Sequence, residues 1–235
     1  MGGCTGRLAL ITCLLAALVF TVALPGCGGS SGGGVGDIEL LVQGTVVKNY
    51  DGLGGYITLV TVAAGGTPVS DATVTVNTIN VPNTAPGNYA LVGGLTISTG
   101  DDVTLLVTRL TRTVTATLKM PEQPVVTQPD GSGSPYSASA SMFVQWDSFV
   151  TDPDSLMVEV HEDFTPPADG RYLGSVPFNT DTDFTIPADT FDPAASSAEV
   201  EVEARNVTTS LGTDAEPGSV YNVGQEGFST TFDMQ

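Results

Sequence analysis

The chain has 235 residues, and its 26 acidic residues against 7 Lys and Arg give a formal net charge of −19. Such an acidic surface repels nucleic acid and anionic lipid headgroups, so a nucleic-acid partner is excluded from the expected functions. Only 14% of the residues are charged. Because aliphatic residues are plentiful as well, the chain is expected to fold rather than to remain disordered.

The first predicted element is an export signal. Arg7 supplies a positive charge, and an apolar run from Leu8 to Leu24 follows it. This order is typical of the n-region and h-region of a signal peptide. The run is shorter than the ~20 apolar residues of a transmembrane helix, and it ends at Pro25 and Gly26, where a helix could hardly continue. Residues 1–26 are therefore predicted to be a signal peptide.

The end of this segment, Leu24-Pro25-Gly26-Cys27, resembles the lipobox of bacterial lipoproteins. In that family the cysteine is lipidated before the signal is cleaved, although Pro25 stands where the family usually has a small or hydroxyl residue. The resemblance implies a lipid on Cys27. Since Gly28 rather than aspartate follows, it also implies the outer membrane of a diderm bacterium. An uncleaved signal anchor and an ordinary secretory signal remain the alternatives.

Cysteine usage agrees with lipidation. Cys4 and Cys13 lie in the predicted signal, so Cys27 would be the only thiol of the mature chain and no internal disulfide could form. Residues 27–36 are predicted to comprise the lipidated cysteine and a Gly/Ser linker, a composition that behaves as a flexible coil.

From residue 37 onward, short runs of valine, threonine and isoleucine are separated by Gly, Pro, Asn and Asp, which is typical of an all-β chain. Prolines at 121 and 124 cannot donate to a strand ladder and favour a domain boundary there. Two β-sandwich domains are predicted, at residues 37–121 and 122–235. The first-half strands are predicted at Ile38–Val47, Tyr56–Val62, Ala72–Thr78, Asn88–Val92, Val103–Thr108 and Thr113–Lys119.

The second half shows strict alternation of apolar and acidic residues in two of its runs. Alternation with a period of two predicts one buried and one solvent-exposed face for each of these strands. On this interpretation the acidic residues face solvent. The strands are predicted at Ala138–Phe149, Leu156–Glu162, Phe184–Ile186, Glu199–Asn206 and Phe228–Phe232.

The second half is similar to a fibronectin type III domain, over about residues 122–235. Met142–Trp146 resembles the B strand with its core tryptophan, and Leu156–Val160 resembles the C strand. Phe184–Ile186 and Glu199–Asn206 resemble the E and F strands. Ala198 stands where the family usually carries an aromatic residue, so an immunoglobulin-like sandwich of another topology is the alternative.

The first half is similar to the small sandwich modules related to carboxypeptidase regulatory domains. The residues responsible are Thr67–Val76, where a turn introduces a strand, and Gly87–Leu91, where a Gly-x-Tyr starts another. Both resemblances imply immunoglobulin-like binding or spacing modules, and neither brings a catalytic set with it.

His161, the acid-rich turns and Trp146 are candidates for a chemical or binding role. His161, the only histidine, excludes a histidine pair for zinc and is expected on the solvent face of its strand. The acid-rich turns are rich in Asp, Pro, Gly and Ser, which are common in turns without any ligand. If calcium binds, the expected ligands are Asp152 and Asp154, whose loop joins two well-defined strands. Trp146, in phase with the apolar residues of its strand, is expected in the core rather than on a sugar-binding surface.

These features predict a lipid-tethered extracytoplasmic protein without catalysis, acting as a binding or envelope structural module. Its expected partners are the membrane, through the anchor, and a protein or glycan ligand of unknown identity, and no cofactor is expected apart from the calcium considered above. The alternative is an extracytoplasmic hydrolase or carbohydrate-active protein on a sandwich scaffold, which would need a pocket with convergent polar groups. A third hypothesis is that the chain is an inert spacer.

Overall fold

The computed structural model describes residues 38–48, 55–132, 135–163, 171–177 and 182–235. All regular secondary structure in these ranges is β-strand. The predictions for the signal peptide, Cys27 and the linker fall on residues 1–36, which lie outside the described residues. Within the described ranges, no helix has the length and apolar character needed to cross a membrane.

Nine strands of the described ranges lie before residue 120. In Thr73–Val76 and Arg112–Lys119, threonines alternate with apolar residues, and successive side chains of a strand point to opposite faces. Two of these strands, Asp102–Arg109 and Arg112–Lys119, form a tight antiparallel hairpin. The strands are β1 Leu40–Lys48, β2 Tyr56–Ala64, β3 Thr67–Pro68, β4 Thr73–Val76, β5 Ile79–Asn80, β6 Asn83–Ala85, β7 Asn88–Val92, β8 Asp102–Arg109 and β9 Arg112–Lys119.

Eight strands follow in the second half. Most of the predicted strands of this half are present, with shifted ends. The strands are β10 Val126–Gln128, β11 Met142–Trp146, β12 Ser155–Asp163, β13 Arg171–Pro177, β14 Asp183–Ile186, β15 Ser197–Thr208, β16 Val220–Phe228 and β17 Phe232–Asp233.

These strands form three sheets. The largest has ten strands and runs β13-β12-β15-β16-β1-β2-β7-β6, with β17 beside β15 and β3 beside β2. The other two are β10-β11-β14 and β5-β4-β8-β9. Strand β16 joins the two parts of the large sheet, because it pairs antiparallel with β15 and parallel with β1. The first described strand is thus paired with the last long one.

Two hydrophobic cores lie between the sheets. The first contains the buried residues of β1, β2, β4, β7, β8 and β9, and it also receives Leu211, Tyr221 and Val223 from the C-terminal part of the chain. The second contains the buried residues of β11, β12, β14 and β15, together with Phe232 and Met234. The chain is therefore all-β with sandwich architecture, as predicted. The boundary between residues 121 and 122 stays a prediction.

The pairing within the second sandwich follows the strand assignments made from the sequence. Strand β11, the predicted B strand, pairs with β14, the predicted E strand. Strand β12, the predicted C strand, pairs with β15, the predicted F strand. B with E in one sheet and C with F in the other is the arrangement of immunoglobulin-like sandwiches. This agrees with a fibronectin type III-like second half.

One predicted strand was wrong. The sequence predicted Phe228–Phe232, whereas β16 ends at Phe228 and begins at Val220. The prediction failed because Gly224, Gln225, Glu226 and Gly227 break the apolar alternation that identifies a strand.

Candidate functional site

A cluster of ionisable side chains lies on one face of the large sheet. Strand β12 supplies Glu159 and His161, and neighbouring strands supply the rest. Residues directly opposite each other on paired strands point to the same face, and the register places Glu159 opposite Glu201 and Glu203 opposite Glu226. We call this set the acidic cluster; its members are Glu159, His161, Glu201, Glu203, Arg205 and Glu226.

The prediction that this face is exposed to solvent was wrong. Glu201 is only 4% exposed, and Glu203 and Glu226 are each 2% exposed. The side chain of His161 is 30% exposed. Alternation with a period of two assigns side chains to faces, but it cannot tell whether the second face is covered. Here both faces of β15 are buried over its central part.

An imidazole and a guanidinium accompany the carboxylates. Nε2 of His161 lies 2.7 Å from Oε2 of Glu201. Nη2 of Arg205 donates to Oε2 of Glu203 at 2.5 Å. The four carboxylates of the cluster thus share one guanidinium and one imidazole. When all four are ionised, the cluster carries an excess of negative charge in a place that water barely reaches.

The electrostatics of the cluster follow first from burial and then from neighbouring charges. Burial, and then the charge of Glu201, raise the pKa of Glu159 to about 7. Burial also raises the pKa of Glu203, against the opposing effect of Arg205. Both changes have the same cause, because a carboxylate removed from water and placed beside other carboxylates loses much of the stabilisation of its charged form.

The cluster contains two sets of potential metal ligands. One ligand atom from each of Glu159, His161 and Glu201 lies within 4.8 Å of the others, and the same holds for Glu201, Glu203 and Glu226. Glu201 belongs to both sets. The sequence could have suggested part of this cluster, since Glu201-x-Glu203 and Glu159-x-His161 place side chains on one strand face. It could not have supplied Glu226, because β16 was not predicted.

The residues that the sequence did single out lie elsewhere. Asp152 and Asp154 are exposed, and neither belongs to the metal-ligand sets found among the described residues. Oδ2 of Asp154 accepts a hydrogen bond from the backbone N–H of Val207 at 2.7 Å, which ties this loop to the end of β15. Their calcium role stays a prediction. Trp146 is 2% exposed and lies in the second core, as predicted.

A shallow depression lies apart from the acidic cluster. Its lining residues are Ile38, Glu39, Gly65, Glu216 and Pro217. It brings two acidic residues near each other without a histidine or a cation among those five. We therefore base no site on this depression.

The strand pairing defines an all-β protein of sandwich architecture, and its second half has the arrangement of immunoglobulin-like sandwiches. No protein-family model matches the sequence, and no curated protein matches it either. Among solved structures, it is similar to titin domains A168–A170 (11% identity, TM-score 0.28, covering 84% of this chain and 67% of that one).

The fibronectin(III)-like modules of Clostridium thermocellum CbhA are similar at 12% identity and a TM-score of 0.28, over 83% of this chain and 90% of that one. The BSP domain of a biofilm-associated protein is similar at 14% identity and a TM-score of 0.27, over 83% of this chain and 30% of that one. At these TM-scores the likenesses carry no inference about function.

Proposed function

We propose that this chain is a non-catalytic lipoprotein of a bacterial cell envelope, held in the outer membrane by a lipid on Cys27. Its β-sandwich part acts as a binding or structural module. The observation that carries the proposal is the sequence Leu24-Pro25-Gly26-Cys27, placed between an apolar run and a Gly/Ser segment. A lipid needs a cysteine at this position, and a tethered domain needs a flexible spacer after it.

The spacing along the chain supports this arrangement. Strand β1 begins at Leu40, only a few residues after the Gly/Ser segment of residues 28–36. A flexible linker of this length spans about 15–18 Å between its ends. The folded part would therefore lie close to the membrane surface, where a module of the envelope would act.

The large sheet supports a structural or binding role for the folded part. Strand β16 contributes residues to the first core and pairs with β15, which contributes to the second. One hydrogen-bonded sheet therefore serves both cores. Such an arrangement resists separation of the two cores better than a flexible linker would, which suits a module that bears load or presents a surface.

The acidic cluster does not favour the hydrolase alternative. A general acid or base must come within about 2.6–3.2 Å of the group it protonates or deprotonates. Glu201 and Glu203 are 4% and 2% exposed and offer a substrate almost no access. His161 is already engaged with Glu201. We therefore keep the absence of catalysis as part of the proposal.

Mass spectrometry of the N-terminal peptide tests the anchor. The full chain would be expressed in a diderm bacterium and extracted from membranes, as wild type, as Cys27→Ser, and as Cys13→Ser for a matched control within the predicted signal. We expect a diacylglyceryl-modified N-terminus at Cys27 in the wild type and the control, and its loss in Cys27→Ser. An unmodified Cys27 with residues 1–26 still attached, or cleavage elsewhere, would overturn the proposal.

A further inference from the structure

The acidic cluster has a carboxylate oxygen without a partner. Oε1 of Glu203 is buried, and no group among the described residues hydrogen-bonds to it. The whole Glu203 side chain is 2% exposed, and only its other oxygen is paired, with Arg205. A buried acceptor without a partner is costly, and the cost is larger when its carboxyl group is ionised. Such an atom calls for a ligand.

The backbone around Glu203 makes room for this arrangement. Gly224 of β16 lies opposite Arg205, two residues along β15 from Glu203 and on the same face. A Cβ atom at Gly224 would collide with Oε1 of Glu203. The absence of a side chain at residue 224 is therefore what allows the Glu203 carboxylate to lie over β16, beside the neighbouring Glu226.

We propose that Glu201, Glu203 and Glu226 bind a divalent cation of the calcium class, with Glu159 and His161 beside the site. The three carboxylates come from two adjacent strands, and one oxygen of each already lies within 4.8 Å of the others. A cation among them would give the unpaired oxygen of Glu203 a partner. It would also offset the negative charge that the cluster carries when its carboxylates are ionised.

The chemistry of the donors selects the cation. All three are hard oxygen donors, which suit Ca²⁺, Mg²⁺ and Mn²⁺ better than the softer metals. Zinc favours four ligands drawn mainly from cysteine and histidine. Mg²⁺ dehydrates reluctantly and usually keeps several waters, whereas Ca²⁺ accepts carboxylates in mono- or bidentate mode. Of the six oxygens of these carboxylates, Oε2 of Glu201 lies beside His161 and Oε2 of Glu203 accepts from Arg205, which leaves four. Oxygen donors that can bind in either mode favour Ca²⁺.

Calcium binding to the full chain tests this directly. The chain would be freed of metal with a chelator, and calcium uptake would be measured by isothermal titration calorimetry and by metal analysis after dialysis. We expect one calcium ion per wild-type chain at this site. In Glu203→Gln, affinity is expected to fall at least about tenfold, since losing even an outer-shell group at a metal site costs that much.

The matched control is the double variant Asp152→Asn, Asp154→Asn, which removes the other calcium candidates and should bind as the wild type does. Glu203→Gln keeps the shape of the side chain and cannot ionise, so it is expected to fold, which circular dichroism would check. Glu226→Gln gives a second variant with the same expected loss. Proposal and test do not depend on the lipid at Cys27.

Three results would overturn the proposal. The first is the absence of calcium uptake by the metal-free wild type. The second is binding that survives both glutamine variants and disappears in the aspartate control, which would place calcium in the loop of Asp152. The third is a preference for Zn²⁺ over Ca²⁺, which would contradict the assignment of cation class.

Discussion

Leu105→Ala tests whether the two cores are one cooperative unit. Leu105 on β8 is fully buried in the first core, and its side chain packs beside Gly44 of β1. Truncating a buried leucine to alanine costs about 2–5 kcal/mol, through lost transfer free energy and the cavity left behind. With a urea m-value of about 2–3 kcal/mol/M, a loss of about 3 kcal/mol lowers the unfolding midpoint by about 1–1.5 M.

Trp146 provides the assay, because the only tryptophan of the chain lies in the second core. Eight residue pairs join β15 to β16, and six join β16 to β1. If this shared sheet couples the cores, Leu105→Ala shifts the tryptophan fluorescence transition as far as the circular dichroism transition. Leu106→Ala, on the same strand but 37% exposed, is the matched control and should change stability by less than about 0.5 kcal/mol. An unchanged tryptophan midpoint in Leu105→Ala would refute the coupling.

Three further predictions concern single sites. Tyr221→Phe should raise the free energy of unfolding by about 1 kcal/mol in urea titrations, because the buried hydroxyl has no partner among the described residues; a loss of stability would mean that the hydroxyl is bonded. Gly44→Ala should lower it by about 1–3 kcal/mol, because its Cβ would meet Leu105 and Tyr221, whereas Gly55→Ala, with open space around it, should not; equal effects would contradict the packing. A hydrogen bond from the backbone N–H of Thr113, followed by one from Arg112, lowers the pKa of Asp214 in the folded chain. Its contribution to stability is therefore present above the unfolded pKa and lost as pH falls through the folded pKa, so Asp214→Asn should flatten the acid side of the stability profile, and an unchanged profile would refute this.

The strands with regular alternation could be predicted from the sequence. Thr113–Lys119 was predicted and β9 is Arg112–Lys119, with Val114 and Ala116 buried and the intervening threonines outward. Such a strand can be identified from its own sequence, because one face contacts the core and the other faces water. The alternation needs no knowledge of the partner strand.

Strand β16 could not be predicted in the same way, because its glycines are required by contacts with residues that are distant in the sequence. A Cβ atom at Gly227 would collide with the backbone carbonyl of Pro124, and one at Gly224 would collide with Glu203. Gly227 therefore allows a close approach to a segment about a hundred residues away, and Gly224 allows one to a residue about twenty positions away. The sequence shows only a polar, glycine-containing run that resembles a loop.

The sequence also failed to predict the burial of the acidic cluster, for a related reason. The spacing of Glu201 and Glu203 placed them correctly on one face, but their burial depends on what lies against that face and on the carboxylate that β16 contributes. Charged residues are rarely buried unless they are paired, so the sequence favoured exposure. The burial of three carboxylates in one cluster is unusual, and it is the reason that we consider the cluster a candidate binding site.

The position of the acidic cluster connects the two proposals about the folded part. Glu226 lies on β16, the strand that pairs with β15 on one side and with β1 on the other. When Glu203 and Glu226 are both ionised, like charges lie directly opposite each other and oppose the pairing of β15 with β16. A cation held between these side chains would reverse the sign of that interaction. The stability of this pairing, and with it the coupling between the cores, would then depend on the cation concentration around the protein.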